Sequence, residues 1–151
     1  MIKLLLTCNW DNVSIVLQMQ DEEVAMSTHK KLHVQSNDEA IVSKALLNAA
    51  RRLEMTNIEL AQVVGISESK LSRMDRKEAF VSRSGKEFDL ALLFVRLYRS
   101  LDSITGGDRV TSAAWIRNPN KAFDNVPVER MKSLEGLVDV VQYLDSRRAI
   151  I

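Results

Sequence analysis

From residue 38 onward, apolar residues recur at three- and four-residue spacing, and the chain reads as a succession of helices. Ile41, Ala45, Leu46, Ala49 and Leu53 make the first stripe. Asn37 or Asp38 is available as its N-cap, and Arg51 and Arg52 fall in the last turn, where cations suit the helix dipole. Thr56 followed three residues later by Glu59 predicts a capping box. A second helix therefore starts near Asn57, runs through Leu60, Ala61 and Val64, and stops at Gly65, which supplies a left-handed turn. Ile66 enters the core, and Ser67 caps a third helix buried through Leu71 and Met74. The fourth helix carries two stripes. Leu90, Leu93, Phe94, Leu97, Leu101 and Ile104 form one, and Phe88, Ala91, Leu92, Val95 and Tyr98 the other. A helix apolar around most of its circumference must be covered from two sides, by two domains or by two subunits.

After Gly106-Gly107 the pattern shortens. A helix from Asp108 to Ile116 ends at Asn118, because Pro119 disfavours helical geometry in the residue before it, and Asn118-Pro119-Asn120 predicts a tight turn. The chain's second proline, Pro127, suits a helix start, where its missing N–H has no partner to lose. Ser133 caps the last helix, with Leu134, Leu137, Val138, Val141 and Leu144 as its apolar face.

Residues 1–36 follow no such rule. Two short apolar runs around Asn9-Trp10-Asp11-Asn12 fit a β-hairpin or an unstructured leader, and translation from Met26 would remove most of the segment. The organisation expected is therefore an extension over 1–36, a helix-turn-helix unit over 37–85, a central helix over 86–105 and a helical domain over 106–151. Composition supports an all-α class: of 151 residues only five are glycine and two proline, and good helix formers dominate.

Net charge is +1, which gives no bulk argument for nucleic acid, but its distribution does. Residues 1–40 carry three basic against six acidic side chains. Between Lys70 and Lys86 there are six basic (Lys70, Arg73, Arg76, Lys77, Arg83, Lys86) against two acidic. The spacing of small Ala61, Gly65 and apolar residues at 60, 64, 66, 71 and 74 matches a helix-turn-helix, whose second helix presents its N-terminal residues to the major groove. Those are Ser67, Glu68, Ser69, Ser72 and Arg73, with Lys70, Arg76 and Lys77 placed for phosphates. Arg73 suits a bidentate guanine contact, and Glu68 can accept from cytosine.

Catalysis finds little support. There is no glycine-rich phosphate loop, nucleophile elbow or cysteine pair, and Cys8 is the single cysteine. His29 and His33 stand four apart but lack an intervening Glu in the metalloprotease position and a third ligand, so neither metal nor cofactor is expected. The apolar run at residues 4–6 is too short for a signal-peptide core or membrane span, which points to a cytoplasmic protein without membrane contact.

One ordered set of residues carries a resemblance. Trp115-x-x-Asn118-Pro119-Asn120-x-x-Phe123, Pro127 at a short helix start, and Ser133-x-x-Gly136 leading an amphipathic helix are similar to the toxin-binding domain of the Xre/MbcA/ParS antitoxins. In that family the domain follows an Xre-like helix-turn-helix, as here. The resemblance implies an antitoxin of a type II toxin–antitoxin pair. Its partner would be a RES- or ParT-fold toxin that attacks or uses NAD, blocked at its NAD pocket by the antitoxin's C-terminal domain. The helix-turn-helix would repress the operon's own promoter, usually as a homodimer. Trp115, Asn118, Pro119, Asn120, Phe123, Pro127 and Gly136 are the residues it assigns to toxin binding, and Arg147 and Arg148 are placed to reach a pocket built for a pyrophosphate-bearing nucleotide. Trp115, Phe123 and Pro127 equally suit a purely structural role, and the arginines can answer the dipole of the last helix. The chain departs from the family pattern where Asp124 or Asn125 replaces a common glycine, where Val126 replaces a common threonine, and in its "YLDSRRAII" ending. Without a toxin partner, the same chain would read as a stand-alone regulator with a C-terminal dimerisation module.

Overall fold

The computed structural model describes residues 37–148; the expected hairpin or leader, Cys8, His29 and His33 lie outside the described residues. Those described are all-α. The helix over residues 37–52 (α1) is followed by α2 (Asn57–Val64), α3 (Glu68–Asp75), α4 (Lys86–Ile104), α5 (Arg109–Arg117), the single-turn α6 (Pro127–Arg130) and α7 (Leu134–Arg148). The only β feature among them is an isolated bridge between Asn120 and Asn125.

Local chemistry sets most boundaries. The Thr56 hydroxyl accepts from the Glu59 N–H at 3.2 Å while the Glu59 carboxylate accepts from the Thr56 N–H at 2.8 Å, closing the capping box. Gly65 has φ 71° and ends α2. Ser67 accepts from the Lys70 N–H at the start of α3. Asp108 caps α5 through the N–H groups of Val110 and Thr111, and the Ser133 hydroxyl accepts from Gly136 in α7. α1 and α3 both close with the paired bonds of a Schellman motif, but the left-handed position is filled by Glu54 (φ 55°) and Lys77 (φ 62°) rather than glycine.

The core is one cluster running through the whole described chain. α4 is its axis. It buries Phe88, Ala91, Phe94, Leu97 and Leu101, packing on α2 and α5 and, most extensively, along α7. Each of the phenylalanine and leucine side chains contributes about 1.5–3 kcal/mol through its burial. Within the chain, α2, α5 and α7 supply covering for this helix. Asp145 reinforces the α4–α7 seam: Ser100 Oγ donates to it at 2.6 Å and Arg96 pairs with it at 2.6 Å. These partners, Ser100 first, hold the Asp145 carboxyl below the usual range.

Several expected positions shift. Residues 37 and 38 are already helical, so neither caps α1. Ile41 is exposed; the buried arc runs through Ser43, Leu46, Ala49, Ala50 and Leu53, centred about two fifths of a turn from Ile41. Ser43 is tolerated there because its hydroxyl donates to the Glu39 carbonyl and accepts from the Val81 N–H at 2.9 Å. Leu92 is exposed on the uncovered side of α4. In α7, Gly136, Leu137, Val140, Val141 and Leu144 form the buried face, leaving Leu134 exposed. Asn118-Pro119 is extended (Asn118 φ −93°, ψ 144°), not a tight turn. The reversal comes one step later, over 120–125: the Asn120 N–H donates to the Asn125 carbonyl, its side chain accepts from the Ala122 N–H, and Asp124 takes φ 47°.

Candidate nucleic-acid interface and partner-binding face

α3 stands out from the core on a turn that Gly65 opens and Ser67 closes. Leu71 and Met74 anchor it inward, which leaves Ser67, Glu68, Ser69, Arg73, Arg76 and Lys77 exposed and Ser72 and Lys70 half-buried. An exposed arginine can pair bidentately with a guanine edge in the major groove, and Ser69 and Ser72 before it can bond to base edges of either type. The six-cation cluster is less free than its composition suggests. Lys70 Nζ pairs with Glu87 Oε1 at 2.6 Å, Arg76 pairs with Glu78 at 3.0 Å, and Arg83 pairs with Asp38 beside the Phe88 ring. Arg73, Lys77 and Lys86 have no ion-pair partner among the described residues.

A second face is aromatic. Trp115 of α5, Phe123 of the 120–125 turn and Tyr143 of α7 meet in one cluster. Trp115 stacks on Tyr143 with centroids 6.3 Å apart, and Phe123 meets both rings edge-on, at 5.1 Å from Tyr143 and 6.4 Å from Trp115. All three residues are half-buried, so part of each remains open to solvent. The Arg147 guanidinium lies 5.2 Å from the Tyr143 centroid and extends the face along α7, where Arg148 is also exposed. Beside them is an open depression of about 470 Å³ whose polar side is formed by Arg130 and Asp139, paired at 2.6 Å.

The residues singled out in the sequence divide here. Trp115, Phe123, Asn118, Pro119 and Asn120 lie on this face or on the segment that builds it. Pro127 and Gly136 are buried, at the start of α6 and in the first turn of α7. A Cβ at Gly136 would overlap the Arg130 carbonyl oxygen, so only glycine lets α7 pass so close to the end of α6. Val126 gives α6 no side-chain cap, while the Asn125 side chain accepts from the Val126 N–H at 2.7 Å. Sequence reasoning missed Tyr143, Arg130 and Asp139. Nothing in the local pattern of α7 distinguishes a Tyr that completes an aromatic cluster from one that merely edges a helix.

A polar clasp ties α5 to the start of α2. Arg117, two residues after Trp115, donates to both Glu59 carboxylate oxygens (2.9 and 3.2 Å) and to the Glu54 carbonyl at 2.7 Å, while Arg109 pairs with the Glu54 carboxylate. Glu59 thus serves the α2 cap and the clasp together, and the guanidinium holds its carboxyl down at about 2.

Among the described residues no helix is long and apolar enough to cross a membrane, and no group of three or more His, Cys, Asp or Glu could hold a metal ion. Two family models match the chain. Residues 33–96 match the antitoxin Xre-like helix-turn-helix domain, and residues 100–149 match the antitoxin Xre/MbcA/ParS C-terminal toxin-binding domain. No curated protein matches the chain.

Proposed function

The chain belongs to the Xre/MbcA/ParS antitoxins of toxin–antitoxin systems and carries their DNA-binding and toxin-binding domains, and from that premise we propose how it works. Its toxin is of the RES/ParT type and acts on NAD. The antitoxin covers that toxin with the face built from Trp115, Phe123, Tyr143 and the 118–125 segment, and sends Arg147 and Arg148 toward the acidic or nucleotide-binding groups of the pocket. The same chain, as a homodimer, sets α3 into the major groove of its own promoter, with Arg73 on a base edge and Lys77 on phosphate, and represses the operon.

The observation that carries this reading is the half-buried aromatic cluster flanked by an exposed arginine, built from residues that lie apart in sequence from α3. Stacked rings with a guanidinium on their rim are the composition of binding hot spots, since they give large contact area at low entropic cost. Exposed Arg73 supports the second half of the reading in the same way.

The test is growth of cells expressing the neighbouring gene, with the full-length chain or its Arg147→Ala/Arg148→Ala variant supplied in trans, and cellular NAD measured alongside. Toxicity with falling NAD, rescued by the full-length chain and poorly by the variant, supports the proposal. A harmless neighbour leaves a stand-alone regulator as the better reading. Toxicity without NAD loss removes the assignment of the toxin, and full rescue by the variant removes the two arginines from the contact.

A further inference from the structure

Lys70 lies on the first turn of α3, one turn before Arg73 and two before Lys77, where a flexible ammonium would ordinarily reach a phosphate. The structure gives it another partner. Its Nζ sits 2.6 Å from Glu87 Oε1, and both side chains are only 25% exposed. Glu87 is in the first turn of α4, whose dipole favours a carboxylate and whose N-cap, Gly85, offers no side-chain bond. Gly85 has an ordinary backbone conformation (φ −96°), so a turn does not require glycine there. A Cβ at that position would instead come within 2.6 Å of Glu87 Oε2. Absence of a side chain at residue 85 leaves the space in which the Glu87 carboxylate folds back toward α3.

We propose that Glu87 is a positioning residue for DNA binding: given room by Gly85, its carboxylate holds Lys70 against the start of α4 and keeps this cation away from the phosphates. The inference rests on the reading of α3 as the DNA-binding helix. Its consequence concerns selectivity. Each phosphate neutralised by a lysine releases counterions and strengthens binding to any sequence alike. Holding back one such cation on the recognition helix lowers binding to random DNA and leaves discrimination to Arg73 and its polar neighbours.

The experiment measures the affinity of the full-length protein for a short random-sequence duplex across a salt series, comparing Glu87→Gln with Asp89→Asn. Both variants remove one negative charge from the first turn of α4, but only the first frees Lys70. Glu87→Gln is expected to steepen the slope of log K against log salt by about 0.9 relative to Asp89→Asn, one additional phosphate contact. Adding Lys70→Met to Glu87→Gln should abolish that excess. Gly85→Ala, which leaves the charge unchanged and displaces only the tip of a flexible side chain, should steepen the slope as well and serves if Glu87→Gln folds poorly. Equal slopes for Glu87→Gln and Asp89→Asn, or an excess that survives Lys70→Met, would overturn the proposal while leaving DNA binding by α3 intact. If the wild-type chain shows no salt-dependent binding to any duplex, the DNA-binding reading itself fails.

Discussion

The two exposed faces are assembled differently. On the α3 side the residues come from one short stretch, 67–77, and, Lys70 with its Glu87 partner apart, their placement follows from caps and turns in or next to that stretch: Gly65, Ser67 and the left-handed Lys77. The aromatic face draws on three separate elements between residues 115 and 143, and its geometry depends on how α5, the 120–125 turn and α7 pack together. A face built locally tolerates loss of any one contact side chain. A face built from separate elements fails when the packing behind it fails. Substitutions should therefore separate the two faces, and the expected effects run from large to small.

Leu97→Ala, at a fully buried site on the axis helix, should destabilise the protein by about 2–5 kcal/mol in denaturant unfolding and impair both faces together. If only one function is lost, the two faces do not share a core. Gly136→Ala should cost about 1–3 kcal/mol through overpacking against the Arg130 carbonyl, and should weaken toxin binding far more than duplex binding. Equal loss of both would show that the α3 face also depends on the packing of α6 and α7. Arg73→Ala should leave the melting temperature unchanged and weaken promoter binding by about 1–3 kcal/mol, with relaxed sequence preference. Lys77→Gly should gain up to about 1 kcal/mol in stability by relieving positive φ, yet flatten the salt dependence of DNA binding.

The clasp adds a pH test of how firmly α5 is tied to α2. Glu59 is held at about 2 against an ordinary 4.5, so it binds a proton less readily folded than unfolded. Its contribution to stability is complete above pH 4.5 and is lost as pH falls from there toward 2. Arg117→Gln should flatten the stability profile within that window, because Arg117 is the largest cause of the shift. An unchanged profile would assign the effect to the Thr56 cap alone.

What was legible in the sequence was largely what is local. Thr56, Gly65, Ser67, Asp108 and Ser133 sit where short-range rules put helix ends, because a cap satisfies N–H groups within three residues of itself. Leu46, Leu60, Leu71, Phe94 and Leu137 fell inside because their neighbours at helical spacing are apolar too. The misplacements arose where two stripes were nearly equivalent. Ile41 against Ser43 could be decided only by the Val81 N–H, 38 residues away, that the serine satisfies. Tyr143 and the Lys70–Glu87 pair were hidden for the same reason, since both depend on partners that only the folded chain brings near.

The two family matches end at residue 96 and begin at residue 100, so their border falls inside α4, which runs unbroken from Lys86 to Ile104. A continuous helix fixes angular phase. Insertion of one residue at that border would turn everything beyond it by about 100° and advance it by about 1.5 Å. The face that α7 covers would rotate away and Arg117 would swing off Glu59. Exchange of toxin-binding halves between such antitoxins is therefore constrained to joints that preserve residue count through α4, and a change of partner must be inherited in register with the helix that carries it.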